Sequence, residues 1–113
     1  MKIWVDDIRE APKGYVWCKS VNKAKSTIVK FENQNAFDAS DDWIYKMEPI
    51  PIELIDIDHD AGDYAVDGGD YIKLLDWLEA TNRNYPIRIH SANPVGVENM
   101  RRIIERNGWT EVK

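Results

Sequence analysis

The segment Ile52-Glu53-Leu54-Ile55-Asp56-Ile57-Asp58-His59-Asp60 constrains this chain more than any other. A branched, apolar run climbs into an acidic cluster that holds a histidine. Its length and residue types are those of a strand buried in a parallel sheet. Carboxylates at the end of a buried strand are tolerated only where something pairs with them. The segment therefore predicts a central strand ending near Asp58 and a phosphate or metal site at its carboxyl end.

The flanking segments supply neighbours for that strand. Lys2-Ile3-Trp4-Val5 is a short strand candidate ending in Asp6-Asp7, followed by a loop in which Pro12 and Gly14 act as breakers. Tyr15 to Lys19 reads as a second strand. Ser20 then caps a helix whose Val21, Ala24, Ile28 and Phe31 share one face. Asp70 opens another helix, with Tyr71, Leu74, Leu75 and Leu78 as its apolar stripe. Pro86 to His90 is a further strand. Asn93 and Pro94 fit the cap and first position of a final helix that buries Met100, Ile103 and Ile104 and stops at Asn107-Gly108. Trp109 to Val112 is a candidate last strand. Residues 32–51 read as a surface excursion pinned by Trp43, with a short helix near Asp42 to Lys46; a substrate lid is the alternative.

A length of 113 residues predicts a single domain over 1–113. The net charge of −5 argues against an extended nucleic-acid surface, which needs a basic face, but leaves room for one nucleotide or an RNA end. The single cysteine, Cys18, excludes an internal disulfide and reads as a small buried side chain. No stretch resembles a signal peptide or a membrane span of ~20 apolar residues, so the cytoplasm is the expected compartment and no membrane partner is expected.

Strands alternating with helices imply parallel pairing, and in such sheets ligands collect at the carboxyl ends of the strands. Three strand ends carry polar groups: Asp6 and Asp7; Asp58, His59 and Asp60; and His90, Ser91 and Asn93. Parallel alignment brings all three to one edge. Crowded carboxylates call for a hard cation, so Mg²⁺ is the expected cofactor, held by Asp6, Asp7, Asp58 and Asp60. Such an ion bridges to a phosphate and polarises it. Ser91 and Asn93 are the expected phosphate-binding residues, through a hydroxyl and the amides that start the last helix. His59 and His90 are candidates for general acid and base, with Asp58 as metal ligand or as nucleophile.

Plainer readings exist for each residue. Asp6 or Asp7 alone suits a solvated turn, and His90 alone suits a hydrogen-bonded structural histidine. Asp56 reads as structural, and Asp63, Asp67 and Asp70 as loop and helix-start residues. Asp56, Asp58 and Asp60 also match positions 1, 3 and 5 of a calcium loop. That template then needs a glycine and a glutamate where Ala61 and Asp67 stand, and a helix where the pattern gives a strand.

The arrangement resembles a receiver domain, the phospho-acceptor module of two-component signalling. Asp6-Asp7, Asp58 and Ser91-Ala92 match its acidic pair, its acceptor aspartate and its hydroxyl-alanine pair. The family's late lysine has no clear counterpart, since Lys113 ends the chain. The chain is more similar to the cyclic-phosphate processing receiver domains, whose motifs run V-D-D-x-R-x-x-P, L-D-H-D and I-H-S-A-N-P-V-G-x-x-N-M. Here these are Val5-Asp6-Asp7-Ile8-Arg9 with Pro12, Ile57-Asp58-His59-Asp60, and Ile89 to Gly96 with Asn99-Met100. The two histidines separate this family from ordinary receivers.

The resemblance implies an α/β three-layer sandwich with a mostly parallel five-stranded sheet, in the flavodoxin-like order 2-1-3-4-5 with a shortened first crossover. It implies a Mg²⁺-dependent phosphoesterase acting on cyclic or terminal phosphates of nucleotides or RNA ends. A signalling receiver phosphorylated on Asp58 is the second expectation. A non-catalytic module that binds a partner protein through the Trp43 to Met47 surface is the third.

Overall fold

The computed structural model describes residues 1–33 and 50–113. Four strands, β1 (Lys2–Val5), β2 (Tyr15–Cys18), β3 (Leu54–Ile57) and β4 (Ile87–Ile89), form one sheet in the order β2-β1-β3-β4. Every pairing is parallel, with Ile3 beside Val16 on one side and Ile55 on the other. The connections from β2 to β3 and from β3 to β4 each carry helix: α1 (Val21–Glu32) in the first, a 3₁₀ helix (Gly62–Val66) and α2 (Ile72–Ala80) in the second. The chain then closes with α3 (Pro94–Asn107).

Three expectations need correction. The sheet has four strands among the described residues, not five. The last segment contributes one parallel bridge, between Glu111 and Ile87. β4 is only three residues long and offers little edge to pair with, and the Glu111 side chain is drawn off to Arg101 at 2.9 Å. The described residues also form two layers rather than three. Ile3, Val5, Cys18, Ile55, Ile57 and Ile87 share one core with residues of all three helices, so the helices lie on one face of the sheet. The one-sided placement of the helices follows from the first crossover. The nine residues from Asp6 to Gly14 join two parallel strands without a helix, because Pro12 and Gly14 interrupt any helical run. Finally, α2 begins at Ile72, and Asp70 turns its carboxylate back to the Ala61 amide at 3.1 Å instead of capping that helix.

Local chemistry sets the other helix ends as expected. The Ser20 hydroxyl accepts the Lys23 N–H, and Asn93 Oδ1 accepts the Gly96 N–H, each at 3.0 Å. Pro94 occupies the first turn of α3, and Gly108 closes it with φ 67°. Cys18 is buried, its thiol donates to Thr27, and burial pushes its pKa up. The excursion around Trp43 and the helix near Asp42 to Lys46 lie outside the described residues. Among the described residues no helix is long and apolar enough to cross a membrane.

Candidate metal and phosphate site

Parallel alignment brings the ends of β1, β3 and β4 to one edge. There Asp6, Asp7 and Asp58 each offer a carboxylate oxygen, and the three atoms lie within 4.8 Å of one another. That separation is the span of two metal–oxygen bonds to a hard divalent cation, roughly 4–5 Å. The donor set fits such an ion. Asp7 is pushed up by its own burial and by the charges of Asp6 and Asp58, and a cation between the three relieves that repulsion.

Asp6 is held from several sides. It is 1% exposed, and its Oδ1 accepts the backbone N–H groups of Ile8 and Arg9, each at 2.9 Å. Its Oδ2 faces His90 Nε2 at 2.9 Å. Burial works against ionisation here, but the two amides and His90 outweigh it and lower the pKa. On the other side of the imidazole, His90 Nδ1 meets Asp56 Oδ1 at 2.6 Å, and Asp56 is also 1% exposed. The ring of His90 is thus clamped between two buried carboxylates. Burial opposes its protonation, yet bonds to Asp56 and Asp6 prevail and raise its pKa. Trp4 stacks on one face of the ring.

His59 and Asp60 form a second group. His59 Nδ1 lies 2.8 Å from Asp60 Oδ1, and Asn93 Nδ2 donates to the same carboxylate at 3.3 Å. The three-aspartate cluster does not include Asp60. The His59 ring rests on α3 at Gly96, where an added Cβ would stand 2.4 Å from His59 Cγ. At the acidic cluster the chain passes equally close: a Cβ on Gly62, whose φ is 55°, would meet Asp7 Oδ2 at 2.5 Å. Two glycines therefore let the backbone approach the two groups. Ser91 Oγ accepts the Asn93 N–H at 3.1 Å, and its hydroxyl donates to no group among the described residues. A cleft of about 430 Å³ opens on the α3 side of Ser91, but none of the three aspartates lines it.

Sequence reasoning did not single out Trp4 or Gly62 for the site, or give Asp56 a partner there. A signal was present for the first and last. Trp4 and Asp56 are opposite each other in the β1–β3 register, and Asp56 pairs with Arg88, two residues before His90. Alternation along strands puts all of these side chains on the face away from the helices. Lys113, the lysine nearest the place of a receiver's, pairs with Glu111 beside the start of β4, whereas His90 follows its end.

A parallel α/β sheet with an acidic cluster at its carboxyl edge and hydroxyl-bearing Ser91 beyond the next strand defines a receiver-like domain. The family model of the cyclic-phosphate processing receiver domain matches residues 1–106. The chain belongs to that family. No curated protein gives a significant match, and no solved structure does.

Proposed function

We propose that this domain is a Mg²⁺-dependent phosphoesterase that processes cyclic or terminal phosphates on nucleotides or RNA ends. The observation that carries the reading is the convergence of Asp6, Asp7 and Asp58 at the edge where His59, His90 and Ser91 also lie. A bound divalent ion supplies charge neutralisation and polarisation of a phosphate.

The chain's own residues divide the remaining work. Asp6, Asp7 and Asp58 hold the ion. His90 has both ring nitrogens engaged, so its part is to fix Asp6 and offset its buried charge rather than to exchange protons with a substrate. His59 is oriented by Asp60 through Nδ1, and Nε2 has no partner among the described residues. It is the ring that moves a proton at the phosphoester. Asp60 and Asn93 orient His59, and Ser91 donates to a phosphate oxygen.

Turnover of 2′,3′-cyclic nucleotides with Mg²⁺ tests this. Activity is expected in the native chain, and its loss in Asp58→Asn and in His59→Ala. Absence of turnover with every phosphoester tried, while the ion still binds, overturns the catalytic reading. A signalling receiver is the second reading, favoured by the place of Asp58 directly after β3 in the acidic cluster. A stable beryllofluoride adduct on Asp58, without phosphoesterase activity, would establish that alternative.

A further inference from the structure

The end of β2 opens into a cleft of about 320 Å³ lined by Trp17, Lys19, Ser20, Lys23, Tyr64 and Asp67. Two aromatic rings form its walls. Lys19 Nζ lies 4.6 Å from the Trp17 ring centroid and 6.0 Å from that of Tyr64. Neither Lys19 nor Lys23 has a carboxylate within ion-pair distance among the described residues. The carboxylate of Asp67 is already engaged, by the Ser20 hydroxyl at 2.6 Å and the Asn22 amide at 3.0 Å. Two cations thus face an aromatic cleft, in a chain whose net charge is −5.

Two elements that line this cleft also touch the acidic cluster. Trp17 Nε1 donates to the Asp6 carbonyl at 2.7 Å. The 3₁₀ helix that carries Tyr64 starts at Gly62, against the Asp7 carboxylate. The Tyr71 hydroxyl donates to the Lys19 carbonyl at 2.7 Å and so fixes the backbone of the cleft. The Trp17 indole therefore adjoins the Asp6 backbone and the start of the Tyr64 helix adjoins the Asp7 carboxylate, which makes the cleft and the aspartates neighbours.

We propose that this cleft takes the planar base of a nucleotide whose phosphate lies at Asp6, Asp7 and Asp58. The inference rests on the phosphate-processing reading above and names its substrate class. Aromatic faces stack on any base, and a lysine beside a ring adds attraction for an anionic ligand. The volume falls at the low end of ligand sites, which suits one base and not an oligonucleotide. The net charge of −5, which argues against an extended nucleic-acid strand, agrees with that limit.

The test compares adenosine 5′-monophosphate with ribose 5-phosphate, both with Mg²⁺, by NMR of the full chain. The Trp17 indole N–H is identified by its loss in Trp17→Phe. The nucleotide is expected to shift that resonance and to bind about tenfold more tightly than the sugar phosphate. Tyr64→Ala, at an exposed position, is expected to remove the difference and leave ribose 5-phosphate affinity unchanged. Equal affinities with no movement of Trp17 would overturn the nucleotide assignment while the phosphate site stands. Binding of neither phosphate, with the metal bound, would sink the phosphate reading and this one with it.

Discussion

The His90 imidazole lies flat on the Trp4 indole, with ring centroids 3.9 Å apart and planes 6° from parallel. Trp4 is itself fixed by a hydrogen bond from Nε1 to the Arg9 carbonyl at 2.8 Å, and Arg9 belongs to the turn that Asp6 organises. Stack, turn and carboxylates form one unit that sets the direction of Asp6.

Removing the imidazole leaves two buried carboxylates facing each other. His90→Ala is expected to destabilise the domain by about 3–5 kcal/mol, as for other broken buried ion pairs. Urea unfolding followed by circular dichroism measures it, as a lowered midpoint with an unchanged slope. A change below about 1 kcal/mol would show that the clamp contributes little.

Stability should also depend on pH through this ring. The folded pKa of His90 is raised above its ordinary 6.5. Its contribution is then complete below that value and is lost as pH climbs through the folded pKa. The urea midpoint of the native chain should hold below pH 6.5 and fall as pH climbs through the raised folded pKa, and that fall should be absent in His90→Gln. Asp6 acts in the opposite sense. Its pKa is lowered, so its contribution is present above its ordinary 3.8 and is lost as pH drops through the folded value.

Relief of repulsion at the cluster gives a third expectation. Asp7→Asn should leave the metal-free chain as stable as the native one or slightly more so, because Asp7 is crowded by Asp6 and Asp58. The same substitution should abolish stabilisation by divalent ions. In the native chain that stabilisation reaches about 2.7 kcal/mol at an ion concentration of 100 times Kd. Thermal unfolding across a Mg²⁺ or Mn²⁺ titration reads both effects.

Gly96→Ala separates stability from activity. Alanine is favoured over glycine within a helix by up to about 1 kcal/mol, but here its Cβ would strike the His59 ring. The melting temperature is expected to change little, while the His59 ring moves off Asp60 and phosphoester turnover drops by tenfold or more. Imidazole resonances of His59, compared between native and variant chains, follow the displacement.

Much of this was legible in the amino acids. The apolar run through Ile57, the caps at Ser20 and Asn93, and the breaker Gly108 act over a few residues, so short-range chemistry suffices to place them. The motifs around Asp6, Asp58 and His90 likewise pointed to the edge where those residues meet. Layer count and strand number were not legible. Pro12 and Gly14 announce a first crossover without helix, but which face the helices take and how the Glu111 segment pairs depend on contacts in space that no local pattern decides.

Local pattern and strand order alone determined which residues stand at the carboxyl edge of the sheet, because alternation and parallel pairing leave a strand end nowhere else to go. Only the tertiary structure decided how they are partnered. Asp56 clamps His90, His90 holds Asp6, and Asp60 turns away to His59 and Asn93. Those choices rest on separations of a few ångströms between side chains up to 84 residues apart. Packing sets such distances, and no spacing along the chain encodes them.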